Sequence, residues 1–433
     1  MKTTNLKSTI EKLKKDRNNA ISHIYNDASF GQGSLKGCTV TVKDSFATKD
    51  AKTMCSSKIL EDFEPKYDAT VVKKLKESGA AVVAKTHLDE LAMGGTGTYS
   101  AFGIIANPLN NEYMVGGSSS GAAATINHVS FAIGSDTGDS VRLPASYVGK
   151  VGFKPSYGAV SRYGLFAFAP SFDSPGWITH SVGDSIDASQ VLFGQDDKDM
   201  TSMEVEKPEH ELIKPKKVAV MKNEHQVLSP QMERDFKELK LKLKADGVEV
   251  NEVQVDIKLL NAVETVYSIV AYAELSSTDS NLNGIAFGKR ESGKDWKEIM
   301  LKTRSKNFGS LAQRRFAIGT YFLSEEHFED IFVRAQKVRR LIRDAFKEIL
   351  DNHDILIFPS SKIPPKLNEK KDAVWFSSYL THANISGTPS ITIPFGQEND
   401  MPYGLSIDAG IYKDRKLLSH SLYLEKLIGG KNE

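Results

Sequence analysis

The chain has 433 residues, of which 40% are hydrophobic and 26% are charged, and its formal net charge is +1. These values are typical of a globular protein with an ample core, and they argue against a chain that supplies most of the contacts to a nucleic acid. The two cysteines, Cys38 and Cys55, are too few for a disulfide framework or a Cys-based zinc site. With no signal-peptide core and no run of about 18 apolar residues, the chain is expected to be cytoplasmic, without contact to a membrane.

The pattern of apolar residues predicts helices and strands in alternation from the start of the chain. An N-terminal helical segment with a basic polar face is expected over residues 1–30. The following stretches predict, in order, a strand, a helix, a strand and a helix: LKGCTVTVKD, ATVVKKLKESG, AAVVAK and THLDELAMGG. This β–α–β rhythm predicts an α/β fold with a mostly parallel or mixed sheet.

The polar residues 196–216, which include Pro208 and Pro215, predict a surface loop or a boundary within the chain. Beyond them, four strands are predicted, in KKVAVM, VEVNEVQV, DILIFPSS and SITIP. A helix is predicted to begin at Ser229-Pro230, where the serine is the N-cap and the proline occupies the first turn. A longer helix is predicted over residues 326–350, because apolar side chains recur on one face.

Small and polar residues are concentrated in two stretches, GGSSSG at 116–121 and GSDTGDSVR at 134–142. The first lacks both the lysine and the glycine spacing of the common phosphate-binding loops. A flexible linker would have this composition, but the neighbouring stretches AAATI and FAIGSD are apolar and typical of a core. Composition alone leaves a structural turn and a functional loop as equal alternatives.

Ser140 is the serine with the clearest catalytic potential. It follows the turn Thr137-Gly138-Asp139, in which successive N–H groups can converge to form an oxyanion hole. A serine nucleophile needs a base, and the nearby His128 is interpreted as a loop or surface histidine. Lys43, at the end of a predicted strand, is an alternative base if desolvation lowers its pKa. Spacing alone does not distinguish this role from that of a surface lysine.

Several longer stretches resemble the amidase signature family, over residues 30–400. They include TVKDSFATKDAKTMCSSKIL, AFGIIANPLN, GGSSSG, GSDTGDSVRLPAS and VGFKPSYGAVSRYGL. Within the family, VSRYGLFAFAPSFDSPGWITHSV and QRRFAIGTYFLS are similar to the glutaminase A subunits of tRNA-dependent amidotransferases. The resemblance implies one α/β domain at 31–433, in which a central mixed sheet is flanked by helices on both faces. A core at 31–190 and a further α/β portion at 216–433 are expected within it.

The resemblance also implies a catalytic triad. Ser140 matches the family's nucleophile, Ser118 the bridging serine, and Lys43 the buried base that acts on both. The backbone N–H groups of the turn Thr137-Gly138-Asp139 and of Ser140 are expected to form the oxyanion hole.

Tyr267 and Arg315 match two of the residues that hold glutamine in the A subunits, and the arginine fork suits a carboxylate. The third such residue is an aspartate in those proteins. Its place falls near Ser377 in this chain, and Asp372 is the closest acid. A further departure is Asp139, which stands where the family usually has glycine.

The function implied by the resemblance is release of ammonia from glutamine, for conversion of Glu-tRNA(Gln) to Gln-tRNA(Gln) or of Asp-tRNA(Asn) to Asn-tRNA(Asn). B and C subunits are the expected partners, and a partner is expected to supply most contacts to the misacylated tRNA. ATP and Mg²⁺ are expected on a partner subunit, with no cofactor or metal in this chain. Both termini are shorter than is usual for these A subunits, so contacts to partners at the ends are expected to be reduced.

Two alternative functions remain open at this stage. The chain could be a stand-alone amidase for another small amide, or a scaffold whose catalysis is lost through Asp139. The presence of Lys43, Ser118 and Ser140 together favours an active site over a scaffold.

Overall fold

The computed structural model describes residues 1–222, 228–369 and 377–429, with the side chains of residues 377 and 378 excepted. Within these ranges one sheet has eleven strands in the order β1-β3-β2-β4-β6-β5-β10-β11-β9-β7-β8. The strands are β1 (Ile21–Ile24), β2 (Thr39–Lys43), β3 (Ala81–Thr86), β4 (Phe131–Asp136), β5 (Val151–Lys154), β6 (Ser174–Thr179), β7 (Lys217–Met221), β8 (Glu249–Val253), β9 (Ile355–Pro359), β10 (Ser390–Glu398) and β11 (Met401–Asp408).

The sheet mixes parallel and antiparallel pairs, which confirms the predicted fold class. Strand β2 is parallel to both β3 and β4, whereas β6 is antiparallel to β4 and β5. Val42 is paired with Ile133, so the carboxyl ends of β2 and β4 lie side by side. The loops that follow Lys43 and Asp136 therefore begin at the same edge of the sheet.

Helices cover both faces of this sheet. They are α1 (Leu6–Lys14), α2 (Thr70–Glu77), α3 (Ser120–Thr125), α4 (Arg142–Tyr147), α5 (Val182–Leu192), α6 (Pro230–Ala245), α7 (Ile257–Thr278), α8 (Trp296–Asn307), α9 (Ser310–Phe322), α10 (Arg334–Asp351), α11 (Ser377–Ser386) and α12 (Asp414–Gly429). None of the helices in the described ranges combines the length and the apolar composition that a membrane span requires.

The core has two layers, one on each face of the sheet, and alternate residues of strand β7 belong to different layers. In β7, Val218 and Val220 belong to a core cluster that includes apolar residues of α6 and α12. Ala219 and Met221 belong to a second cluster, formed largely with α7, α9 and α10. This period of two follows from the pleat of a strand with both faces buried.

The two expected portions of the domain share the sheet. Strand β5, from residues 31–190, pairs antiparallel with β10, from residues 216–433, and Phe153 lies opposite Ile391. No separate sheet divides the two portions within the described ranges. Side chains from the second portion can therefore reach the loops of the first.

The predicted helical segment at 1–30 is wrong beyond Lys14. Helix α1 ends there, Asn19 turns the chain with a φ of 55°, and Ile21–Ile24 forms edge strand β1. This strand pairs antiparallel with β3, because the outer side of β3 would otherwise present unpaired backbone groups. Pairing with the sheet thus prevails over continuation of the helix.

Two other predicted helices differ from the structure. In THLDELAMGG, only a short 3₁₀ turn forms over Glu90–Ala92, and Leu91 has a φ of 52°. The predicted helix at 326–350 begins with a π-helical turn over Phe328–Val333 and continues as α10.

Candidate active site

Lys43 lies at the end of β2 and is fully buried. Its Nζ is 2.7 Å from the Oγ of Ser118, 3.1 Å from that of Ser119 and 2.9 Å from that of Ser135. It also donates to the Ser135 carbonyl oxygen at 3.3 Å. The lysine predicted as a base is therefore an interior residue whose amine is surrounded by hydroxyl groups.

The pKa of Lys43 is lowered to about 7. Burial is the dominant cause, because desolvation disfavours the charged amine. The carboxyl groups of Asp89, Asp136 and Asp173 act in the opposite direction and only partly offset it. An amine with such a pKa can accept a proton near neutral pH, which an ordinary surface lysine cannot do.

The loop that carries Ser118 lies against the turn that carries Ser140. The Gly117–Ser118 peptide bond is cis, and Ser119 N–H donates to the carbonyl oxygen of Ser140 at 3.1 Å. Ser140 itself is buried. The structure thus brings Lys43, Ser118 and the turn of Ser140 together, as the resemblance implied, although their catalytic roles stay predictions.

Residues 137–140 connect β4 to α4 as a short turn. No acceptor within the described ranges takes the backbone N–H groups of Thr137, Gly138, Asp139 or Ser140. Buried N–H groups in proteins nearly always have a partner, so four successive free donors indicate a place for an anion. This position agrees with the predicted oxyanion hole.

An ion pair holds this turn in place. Arg142 binds the Asp136 carboxylate through Nε at 3.1 Å and Nη2 at 2.9 Å, and Nη2 also donates to the Gly138 carbonyl oxygen at 2.7 Å. Burial favours a high pKa for Asp136, but the Arg142 guanidinium is the main reason that it is lowered instead. The turn is therefore anchored by a charged, bidentate contact.

Asn384, on α11, extends the anchor across the chain. Its Nδ2 donates to the backbone and carboxylate oxygens of Asp136, each at 3.0 Å, and its Oδ1 accepts from Arg142 at 2.8 Å. The motif GSDTGDSVR contained Asp136 and Arg142, but gave no signal for their pairing. Nothing in the sequence indicated Asn384, which is 248 positions from Asp136.

A second buried carboxylate shapes the loop at 94–99, and sequence analysis also missed it. Asp89 accepts hydrogen bonds from the backbone N–H groups of Thr96, Gly97 and Tyr99, at 3.2, 3.1 and 2.9 Å. It replaces the helical bonds predicted for THLDELAMGG, because its side chain competes for N–H groups of the backbone.

A cavity of about 260 Å³ lies in front of the turn. It is lined by Gly94, Gly95, Thr96, Tyr99, Met114, Gly138, Asp139, Leu143, Tyr147, Glu264, Tyr267, Ser268, Tyr272, Leu311, Arg315 and Thr381. Tyr267 packs directly on Gly138, where an added Cβ would be 3.2 Å from the tyrosine Cζ. Both predicted glutamine-binding residues, Tyr267 and Arg315, thus face the cavity beside the turn.

Arg315 is a cation without an ion-pair partner in the part of the chain that the structure describes. Its guanidinium lies 4.9 Å from the ring centroid of Tyr272 and 5.9 Å from that of Phe168, and its buried Nε has no hydrogen-bond partner there. Because buried polar groups are normally satisfied, this guanidinium is suited to bind the carboxylate of a ligand.

Asp139 lines the same cavity. Burial, and secondarily the charge of Asp136, raises its pKa to about 7. Its φ is outside the left-handed region, so an aspartate here introduces no backbone strain.

Three remaining predictions concern other residues. His128 is exposed at the end of a short 3₁₀ turn, which confirms that it is a surface histidine. Asp372 and the side chain of Ser377 lie outside the described residues, so the third glutamine-binding position stays a prediction. No group of three or more His, Cys, Asp or Glu side chains that could hold a metal ion occurs among the residues described.

A lysine base, serine hydroxyls and a turn of free N–H groups are the parts of a serine hydrolase in which lysine takes the place of histidine. A family model described as Amidase matches residues 4–418. The chain belongs to this family, and it is an amidase-type enzyme.

Several known proteins are similar to this chain over most of its length. The A subunit of glutamyl-tRNA(Gln) amidotransferase from Natranaerobius thermophilus is 37% identical, with 92% of this chain and 83% of that protein covered. The protein of the same name from Sulfolobus acidocaldarius is 35% identical, with 95% and 90% covered. The crystal structure of the corresponding protein from Thermotoga maritima matches with a TM-score of 0.83 and 34% identity, covering 97% of this chain and 90% of that one.

Proposed function

We propose that this chain is the glutamine-hydrolysing A subunit of a tRNA-dependent amidotransferase, and that it works in the cytoplasm with B and C subunits. One observation carries the proposal: Lys43 is buried against Ser118 beside the turn of Ser140, at a cavity that Arg315 also lines. Among the described residues, neither the N–H groups of that turn nor the Arg315 guanidinium has a hydrogen-bonding or ionic partner. The name shared by relatives of 35–37% identity supports the choice of substrate and partners.

Glutamine has two ends that the cavity can hold separately. Arg315 binds the α-carboxylate, and Tyr267 packs along the ligand between the arginine and the turn. The side-chain amide then points toward residues 137–140. There its carbonyl oxygen can accept hydrogen bonds from backbone N–H groups that have no other acceptor among the described residues.

Ser140 Oγ attacks the amide carbon, and its proton passes to Ser118 while the Ser118 proton passes to neutral Lys43. The tetrahedral oxyanion is stabilised by the N–H groups of the turn. Collapse of this intermediate breaks the C–N bond, and protonation of the leaving nitrogen releases ammonia and leaves an ester on Ser140. Water then attacks the ester by the same proton route, which gives glutamate and restores the serine.

Ammonia must reach a second site, where the acyl group of a misacylated tRNA is activated. ATP and Mg²⁺ are proposed to act on a partner subunit, which is also proposed to hold most of the tRNA. The net charge of +1 on this chain is in keeping with that division, since strong tRNA binding generally needs a basic surface.

Glutamine hydrolysis is expected to rise with pH through about pH 7. Lys43 must be neutral to accept a proton, and its lowered pKa of about 7 leaves it mostly charged a unit below and mostly neutral a unit above. The measurement is kcat/KM for glutamine at intervals from about pH 5.5 to pH 9. Asp139 also has a pKa of about 7, so the Asp139→Gly variant serves as a control. The rise must persist in that variant, and a flat or falling profile would contradict a lysine base.

Arg315→Ala should raise the KM for glutamine about 10- to 100-fold with a smaller change in kcat, because a charge-assisted bidentate contact to the substrate is lost. Steady-state kinetics of the whole complex would measure both constants. Arg314→Ala is the matched control, since Arg314 is the exposed neighbour on the same helix and should leave KM within about twofold. An unchanged KM for Arg315→Ala would remove this residue from the glutamine site.

Glutamate release from glutamine tests the proposed function as a whole. The chain and its Ser140→Ala variant would each be assayed alone and together with the B and C subunits, Glu-tRNA(Gln), ATP and Mg²⁺. Release that depends on Ser140 and rises with partners and tRNA is the expected result. Efficient hydrolysis without partners and without response to tRNA would instead favour a stand-alone amidase. No release in any mixture would overturn the glutaminase function.

A further inference from the structure

Asp139 stands between the cavity and the nucleophile. Of the turn at 137–140, only Gly138 and Asp139 line the cavity, whereas Ser140 is 4% exposed and lies behind them with Lys43 and Ser118. An amide group that enters from the cavity and reaches Ser140 therefore passes Gly138 and Asp139.

The carboxyl group of Asp139 has no hydrogen-bond donor or ion-pair partner among the residues that the structure describes. The two carboxylates nearby differ from it. Asp89 accepts three backbone N–H groups, and Asp136 is bound by Arg142. Carboxylate oxygens in buried surroundings normally have donors. Because Asp139 lines the cavity and has none among the described residues, we expect its oxygens to accept hydrogen bonds from a ligand in the cavity.

We propose that Asp139 selects a primary carboxamide over the corresponding carboxylate next to Ser140; this assignment rests on the proposed glutaminase function. The –NH₂ group of a carboxamide carries two N–H donors, and one of them can bind the Asp139 carboxylate while the carbonyl oxygen occupies the turn. The product glutamate has a second carboxylate at the same position, which has no donor and is repelled by a like charge. Asp139 therefore retains the substrate and expels the product.

Charged residues on neighbouring elements change the pKa of the Asp139 carboxyl group. Burial first, and then Asp136 and Asp89, favour its neutral form, while Arg142 favours the charged form, and the resulting pKa is about 7. Tyr147 and Tyr267 also line the cavity beside it. Burial raises the pKa of both phenols, and the Asp139 charge adds to this effect at Tyr147 and, after Tyr272 and against Arg315, at Tyr267. Selection is consequently tested near pH 8.5, where the carboxyl group is ionised.

Direct binding tests the assignment. Dissociation constants of glutamine and of glutamate would be measured by calorimetry near pH 8.5 for the Ser140→Ala protein, which cannot consume the ligand, within the complex. The same two dissociation constants would be measured for the double variant with Ser140→Ala and Asp139→Asn. Asparagine keeps the shape of the side chain and removes its charge. The matched control is Glu264→Gln, because Glu264 lines the same cavity from α7 but is not next to Ser140 in the chain.

Asp139→Asn is expected to reduce the preference for glutamine over glutamate about tenfold or more, mainly through tighter glutamate binding. Glu264→Gln should change the preference for glutamine over glutamate less than about twofold. In the otherwise wild-type enzyme, Asp139→Asn should strengthen product inhibition by glutamate to the same extent. These three results together would establish the selection.

Two outcomes would overturn the assignment of Asp139 without overturning the proposed function. In one, glutamine binds and is hydrolysed, but Asp139→Asn leaves the binding ratio unchanged. In the other, Glu264→Gln shifts the ratio as much as Asp139→Asn, which would indicate a general effect of charge in the cavity. If glutamine neither binds to the Ser140→Ala protein nor is hydrolysed by the wild type, the proposed function fails and the assignment fails with it.

Discussion

Ser140→Ala is expected to reduce glutamine hydrolysis at least about 10³-fold, because the variant lacks the hydroxyl group that is proposed to form the acyl-enzyme. The fold should survive, since the turn is held by Asp136 and Arg142 and not by the Ser140 hydroxyl. The measurement is kcat for glutamate release, with thermal unfolding to verify that the variant is folded.

Two controls make the Ser140 result specific. Ser120→Ala removes a buried hydroxyl that has no hydrogen-bond partner within the described ranges, so turnover should stay within about twofold of wild type. In the complex, ammonium chloride should restore tRNA amidation by Ser140→Ala, because free ammonia bypasses glutamine hydrolysis. Glutamine turnover near the wild-type rate in Ser140→Ala would refute the serine mechanism.

Lys43→Met is expected to lower kcat about 10²- to 10⁴-fold, which is the usual contribution of a general base. Methionine roughly keeps the volume of the side chain but cannot accept a proton from Ser118. In the Asp139→Gly background, the rise of activity with pH through about 7 should disappear when Lys43→Met is added, because there it reflects the titration of this amine alone. Rate measurements over the pH range would test both the lower kcat and the lost pH dependence.

Lys154 provides an unusually close control for Lys43. It too is fully buried at the end of a strand, burial lowers its pKa to about 7, and its Nζ donates to the Pro155 carbonyl oxygen at 2.9 Å. It contacts none of the site serines, so Lys154→Met should keep kcat within a few-fold. If both variants lost activity equally, the loss would reflect removal of a buried amine, and Lys43 would not be the base.

Local patterns were sufficient to predict the strand that carries the base. Alternating apolar and threonine residues identified β2, and the lysine that ends it was recognised as a candidate before any resemblance was considered. The pattern could not predict that this lysine is buried or that its pKa is lowered. A pKa near 7 depends on burial against residues 75 and 92 positions away, and such packing has no local signature.

Tyr267 and Arg315, which the resemblance predicted to bind glutamine, both line the cavity, and their role as substrate-binding residues stays a prediction. Tyr267 and Arg315 come from different helices, and no spacing rule would have brought them to Gly138. The wrong helix predictions have a common physical cause. Around Asp89 and at Ile21–Ile24, side chains or neighbouring strands take the N–H groups that a helix would use.

The hydrogen bonds of Arg142 decide whether a shortened chain could keep the turn at 137–140 in place. All three residues of the predicted triad precede position 141, so a short amino-terminal fragment would contain every side chain that is proposed to react. Yet Arg142 also donates to the Leu380 carbonyl oxygen and the Ser390 hydroxyl, at 2.8 and 3.1 Å, in addition to Asn384. In a fragment that stops near residue 190, a buried guanidinium would lose these acceptors and the turn its support. Catalytic competence therefore requires the carboxyl-terminal part of the chain, although that part supplies none of the three residues predicted to carry the chemistry.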